Sequence, residues 1–269
     1  PRLGPRALPR AELNPGRSAP PGRPGPGCYR APMELEVTWL GRIDYRQAWS
    51  RQHELAADRA AGRIPDQLLL LEHPAVLTLG RQADPSHVRV GPGELAARGI
   101  ELIRVERGGE VTYHGPGQLV GYPIIHLPQR GLLIRPFVRA LEAAMIEVCA
   151  GYGVRADRLD GHPGCWCDPA SPAPRKIGAL GVRVERGVTY HGIALNITTD
   201  LDDFELIDAC GMPGVRSTSI AREAGWPPGP PSTESVHLAG VRFAAAFERA
   251  LGVSSPLRLG PVPVPAPTA

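Results

Sequence analysis

The sequence predicts an α/β or α+β fold, a mixed β-sheet flanked by helices. Three observations carry this. Seven short runs rich in aliphatic and β-branched residues recur along the chain, too short for ordinary helices. Only three long stretches show helical apolar spacing. Hairpin-like spacings separate several runs, and the chain has neither a glycine-rich dinucleotide fingerprint nor a P-loop, which excludes a doubly wound nucleotide-binding domain.

In chain order, "LEVTWL" at 35–40 reads as the first strand, and residues 43–61, polar and rich in Ala and Arg, as an amphipathic helix. Strands follow at 68–72, 75–79, 101–105 and 119–127. The spacing predicts a helix over 136–150, with Phe137, Leu141, Ala144, Met145 and Val148 on one face and Gly151 as its stop. Strands at 179–184 and 188–197 flank Glu185–Arg186–Gly187, a hairpin with glycine in the turn. A short helix is expected over 201–208, with Asp200 near its start. Ser232 or Thr233 caps a final helix that turns Val236, Ala239, Phe243, Phe247 and Leu251 inward.

Composition divides the 269 residues into three parts. Residues 1–32 hold nine prolines, five glycines and six arginines against one acid, Glu12, and read as a disordered extension. Residues 33–253 form the expected catalytic domain, and 254–269 a disordered proline-rich tail. The extension outweighs the whole chain's net charge of +3, so the folded part is mildly acidic and nucleic-acid binding is excluded. No run of 18 apolar residues predicts a membrane span, and no secretory signal is recognisable. The expected compartment is the cytoplasm. Five scattered cysteines do not make a disulfide framework. Without coiled-coil heptads, a monomer is expected.

The lysine and arginine total of 30 contains a single lysine, Lys176. Two readings stand. An arginine-rich composition leaves one lysine by accident, or this position needs a compact ammonium able to give up its proton, which arginine cannot do. The pentapeptide "VTYHG" occurs at 111–115 and again at 188–192, each copy expected to place Tyr and His at a strand end before glycine. Either copy alone is accounted for by a tight turn with a structural histidine. Cys210 in "LIDACGMPGV" is read either as a buried structural cysteine or as a nucleophile whose thiolate a nearby ammonium favours. Cys210 with Lys176 would then be a nucleophile–base pair suited to acyl transfer. Cys165 and Cys167, in "GCWCDPASPAPRK", are expected in a loop, since zinc ribbons use a wider spacing and a second pair. His73, in "LLLLEHPAVLTLG", is a strand-end hydrogen-bonding hinge or a pocket residue, and His191 a secondary candidate of the same kind.

Together "LLLEHPAVLTLGR", "RGGEVTYHGPGQLVGYPI", "KIGALGVRVERGVTYHGIALNI" and "DLDDFELIDACGM" resemble, in order, the signature blocks of lipoyl(octanoyl) transferases, from about residue 33 to about 253. The resemblance implies the biotin/lipoate protein ligase fold. It implies transfer of an octanoyl group from octanoyl-acyl carrier protein to a lysine of lipoyl domains, those of 2-oxoacid dehydrogenase E2 subunits and of glycine cleavage H protein. It makes Cys210 the acyl-accepting nucleophile and Lys176 its partner. The acyl pocket would fall on Arg107, Gly108, Gly109, Glu110, Val111, Thr112, Tyr113 and His114, on Ala179, Leu180 and Gly181, and on Gly192, Ile193 and Ala194. The small residues Ala179, Gly181, Gly192 and Ala194 are expected to leave room for the chain and to offer N–H groups to the thioester oxyanion. The substrate carries phosphopantetheine, and neither ATP nor a metal is expected. The segment from Cys165 to Lys176 is longer and richer in proline than the family pattern suggests. The rivals are an ATP-dependent lipoate or biotin ligase of the same fold, and a non-catalytic Cys/His metal-binding module.

Overall fold

A computed structural model of the chain describes residues 34–208 and 214–252. All of them belong to one of the chain's two units, 32–269. The expected terminal extensions, and Cys210, lie outside the described residues.

Strand β1 (Leu35–Arg42) alternates buried and exposed residues, turning Leu35, Val37 and Trp39 inward. The Asp44 side chain accepts the N–H groups of Arg46 and Gln47 and so caps helix α1 (Tyr45–Ala60). Strand β2 (Asp66–Glu72) is buried throughout. Its leucine run is continuous because both faces are covered: Leu68 and Leu70 join one core, Leu69 and Leu71 another. Strand β3 (Val76–Leu79), helix α2 (Pro92–Ala97), strand β4 (Glu101–Arg104) and strand β5 (Val111–His114) follow, and β4, β3 and β5 form a small sheet in that order.

The larger sheet gains strand β6 (Gln118–Ile124), after which come helices α3 (Leu127–Arg130) and α4 (Ile134–Ala150). Strands β7 (Asp157–Leu159), β8 (His162–Cys167), β9 (Arg175–Glu185) and β10 (Val188–Asn196) complete its main path, ordered β1-β2-β6-β10-β9-β8-β7. The two-residue β11 (Arg216–Ser217) pairs in parallel with β9, Ser217 opposite Lys176. Helices α5 (Ile220–Glu223) and α6 (Thr233–Ala250) end the fold, and the Ser232 side chain caps α6 by accepting the Ser235 N–H. Helices α4 and α6 cover one face of the sheet through Phe137, Leu141, Met145, Phe243 and Phe247, and α1 packs on the other near Leu69, Leu71 and Val120.

The hairpin between β9 and β10 turns through Arg186 and Gly187 at φ of 48° and 80°, the left-handed pair that a two-residue turn requires. The expected short helix is a 3-10 turn over Asp202–Leu206. Two expectations are corrected. Cys165 and Cys167 are not in a loop: with Trp166 they form the end of β8, buried between β7 and β9. Cysteine packs as a small apolar side chain, so "GCWC" makes a strand despite the prolines around it. The second VTYHG does not end a strand either; it opens β10. No helix of the described residues is long and apolar enough to cross a membrane.

Candidate active site

Strands β5, β9 and β10, with α1 and β6 behind them, bound a cleft of about 470 Å³, open at its mouth. Its wall carries Ala179, Leu180 and Gly181 from β9, Gly192, Ile193 and Ala194 from β10, and Val111, Thr112 and His114 from β5. The loop before β5 adds Arg107, Gly109 and Glu110, and His191, Tyr45 and Tyr122 close the cleft. The two tyrosines went unread in the sequence. Tyr122 sits inside an unbroken apolar run and Tyr45 opens a helix far from the motifs, so spacing carried no signal for either.

The Arg107 guanidinium lies in the wall, donating from Nη2 to the Thr78 carbonyl at 2.7 Å and from Nη1 to the Gly108 carbonyl at 3.0 Å. Glu110 Oε2 accepts the Asp84 N–H at 3.1 Å and lies 3.1 Å from His87 Nδ1. Two expected pocket residues do not line the cleft. Tyr113 packs in the small sheet's core, its ring edge-on to Phe204 at 5.3 Å. Gly108 borders β9 with its backbone, donating its N–H to the Val182 carbonyl at 3.3 Å.

His73 stands behind the cleft. Its Nδ1 donates to the Ile43 carbonyl at 2.8 Å, which leaves Nε2 to accept the Tyr122 hydroxyl at 2.8 Å. Burial lowers its pKa to about 4. His114 Nδ1 donates to Gln118 Oε1 at 2.8 Å, and burial, reinforced by His73, lowers its pKa to about 3. His191 is pushed down too, by burial first, against the opposing pull of Glu106. All three rings are therefore neutral at neutral pH. Burial pushes Tyr45 up to about 12 and Tyr122 well up, so both keep their protons.

A smaller recess of about 290 Å³ shares Thr112, Ala179 and Ala194 with the cleft and is lined by Lys176, Gln118, Asn196, Phe204 and Ser217. Lys176 is nearly buried, its Nζ donating to the Pro163 carbonyl at 3.3 Å and lying 4.9 Å from the centre of the Trp166 ring. A hydrogen-bond chain ties it to the cleft. Gln118 Nε2 donates to Asn196 Oδ1, Asn196 Nδ2 to the Thr218 carbonyl, and the Thr218 N–H to the Lys176 carbonyl. Asp208 and Gly214, the described residues on either side of 209–213, line one further recess with Phe204 and Ser217.

The small strand residues act differently from the expectation. A Cβ on Gly192 would stand 2.1 Å from the Gly121 carbonyl oxygen, and one on Gly181 2.6 Å from that of Gly108. Glycine is required there by close backbone approach, not by the width of the cleft. Their N–H groups are also engaged. The Val182 carbonyl points away from β10 toward Gly108. By antiparallel alternation Leu180 shares that outward edge, whereas Ala179 and Gly181 bond to their partners Ala194 and Gly192 within the ladder. Among the described residues no three His, Cys, Asp or Glu side chains gather as metal ligands.

Residues 44–239 match the lipoyl protein ligase A/B catalytic domain family. The chain is 49% identical over 195 residues to the octanoyltransferase of Chloroflexus aggregans, covering 72% of this chain and 87% of that one. It is 45% identical over 233 residues to the octanoyltransferase of Acidobacterium capsulatum, covering 83% and 95%. Among solved structures, a chain from that of a bi-partite lipoate protein ligase and its E2 lipoyl domain from Thermoplasma acidophilum superposes with a TM-score of 0.58 at 17% identity, covering 85% of this chain and 87% of the other, a likeness of fold.

Proposed function

The chain belongs to the lipoyl protein ligase A/B catalytic domain family, and from that premise we propose that Cys210 and Lys176 carry an octanoyl group from acyl carrier protein to a lipoyl-domain lysine. Octanoyl transfer in protein lipoylation, an acyltransferase reaction, is the activity of the family branch it joins. The observation that supports the mechanism is that the two hollows share part of their lining. Thr112, Ala179 and Ala194 line both the cleft and the recess of Lys176, so the two lie side by side. Phe204 and Ser217 line both that recess and the one shared by the two ends of the Cys210 segment.

In the first half-reaction the Cys210 thiolate attacks the octanoyl thioester carbonyl. The bond to the phosphopantetheine sulfur breaks, and the departing thiol takes its proton from the Lys176 ammonium. The Leu180 N–H, on the outward edge of β9, is the candidate donor to the oxyanion. In the second half the acceptor amine attacks the acyl–Cys210 carbonyl and gives its proton to neutral Lys176. Cys210 leaves as thiolate, and the enzyme returns to its starting state. Arginine at 176 would supply charge but could not take the proton. Thioester exchange is nearly isoenergetic and amide formation is downhill, so the scheme needs neither ATP nor a metal. The expected acceptors are lipoyl domains of 2-oxoacid dehydrogenase E2 subunits and glycine cleavage H protein, in the cytoplasm.

The test is intact-protein mass after mixing with octanoyl-acyl carrier protein. Wild type is expected to gain one octanoyl group, Cys210→Ala none, and Lys176→Arg to gain it slowly. No adduct on wild type, with acceptor modified only when ATP and free octanoate are supplied, would instead make the chain an ATP-dependent ligase.

A further inference from the structure

We propose that Tyr45, Tyr122, His114 and His191 form a polar end-stop that sets acyl chain length in this enzyme. The inference rests on the reading that the octanoyl chain lies in the cleft with its thioester toward Lys176. The shared residues Thr112, Ala179 and Ala194 fix which end that is. From the Ala179–Ala194 pair, the β9–β10 register runs through Leu180–Ile193 and Gly181–Gly192 to Val182–His191. Three steps of an antiparallel strand cover roughly 10 Å. An extended eight-carbon chain, built from bonds of about 1.5 Å set in zigzag, spans about 9 Å from carbonyl carbon to methyl. Its methyl group therefore reaches the level of His191.

The wall changes character at that level. Along β9 and β10 it is Ala, Leu, Gly and Ile, with Val111, Thr112 and the loop residues Arg107 and Glu110 completing the lining; at the end it is two imidazoles and two phenols, all buried. The His114 and Tyr122 polar atoms are held by Gln118 and His73. His191 is different. Neither ring nitrogen has a hydrogen-bond partner among the described residues, and Glu106 Oε1 approaches Nε2 only to 3.8 Å, beyond hydrogen-bond range. The Tyr45 hydroxyl likewise has no partner at hydrogen-bond distance, although the Tyr122 hydroxyl is close enough to influence its ionisation. A methylene cannot satisfy these atoms. These atoms are already shut off from water behind packed rings, so the end is closed, and extra methylenes would have to push the rings apart against polar atoms they cannot bond, which offsets the gain of burying the extra carbons.

The stop is also held in place. His191 has a left-handed φ of 55°, costly for a non-glycine residue, and its N–H donates to the buried Gln52 Oε1 of α1 at 2.8 Å. Tyr45 belongs to the same helix. The end of the cleft is thus tied to α1 and does not yield to a longer chain by local movement.

The experiment measures single-turnover acyl-adduct formation by intact mass, with octanoyl-, decanoyl- and dodecanoyl-acyl carrier protein, for wild type, His191→Leu and Tyr45→Phe. The stop predicts that each variant narrows the octanoyl-to-dodecanoyl rate ratio, by about tenfold for His191→Leu. A wild-type ratio in both folded variants overturns the stop. If His191→Leu does not fold, Tyr45→Phe, which removes one oxygen, decides alone. A wild type that takes no octanoyl adduct overturns the reading of the cleft itself, a result separate from an unchanged ratio.

Discussion

The two copies of VTYHG have the same five residues and different structures. In the first, residues 111–114 form an edge strand, His114 faces Gln118, and the glycine begins the turn into β6. In the second, residues 188–192 enter a central strand paired with β9, His191 adopts a left-handed φ, and the glycine lies against the backbone of β6. The pentapeptide does not choose between these states. Its neighbours do: Gln52 from α1 captures the His191 N–H in one, whereas Gln118, four residues downstream, captures the His114 ring in the other.

Matched substitutions sharpen the contrast. The largest effect is expected at the glycines. Gly192→Ala drives a Cβ into the Gly121 backbone and should cost about 3 kcal/mol or more, since backbone in a central strand cannot move aside. Gly115→Ala meets the Tyr113 side chain and should cost distinctly less, about 1–3 kcal/mol. Equal urea midpoints for the two would break the distinction. Next come the histidines. His114→Leu leaves Gln118 Oε1 without its donor and should cost about 1–3 kcal/mol, whereas His191→Leu removes ring atoms that no described residue hydrogen-bonds and should stay within about 1 kcal/mol of wild type. Denaturant titration of both gives the answer.

The threonines should separate by less. Thr189 Oγ1 accepts the Ile125 N–H at 3.0 Å and donates to the Pro123 carbonyl at 2.7 Å, so Thr189→Val is expected to lose about 1–2 kcal/mol. Thr112, half-buried beside the cleft, should tolerate valine within about 0.5 kcal/mol. The smallest effect is that of mild acid. His73 and His114 have folded pKa values of about 4 and about 3, below the unfolded value of 6.5. Between those limits the unfolded chain binds more protons, so stability is complete above pH 6.5 and declines as pH falls. At pH 6 each should cost under about 1 kcal/mol, and a melting-temperature series should show a shallower acid limb in His114→Leu. An unchanged limb would mean that His114 titrates alike in both states.

These contrasts also mark what the sequence could show. Long periodic elements were legible: α4 and α6, the β9–β10 hairpin, and the buried leucines of β2 follow from spacing and burial alone. Strand β8 was not, because cysteine, glycine and proline resemble a loop until the α4 side chains that cover it are known. The cleft's side walls followed from the family blocks, since those residues are consecutive in sequence. At its far end His114 and His191 were among the sequence candidates, but Tyr45 and Tyr122 were not, because they come from elements far apart in the chain and meet only across the folded sheet. The N–H groups of Ala179, Gly181, Gly192 and Ala194 illustrate a third kind of loss. A strand's outward edge depends on which neighbours stop short of it, and no local pattern records that.

Burying "CWC" in β8 has a practical consequence. Cys149, Cys165 and Cys167 are all sealed in the folded chain. A hydrogen bond with Cys149, together with burial, pushes the Cys165 thiol well up, and burial pushes that of Cys167 up to about 12. Thiols that are both inaccessible and protonated react with an alkylating reagent only after the structure opens. The three cysteines thus make a built-in clock: in a pulse of iodoacetamide, the pace at which their masses appear would time the parting of α4 from β8 and β9, with no probe introduced.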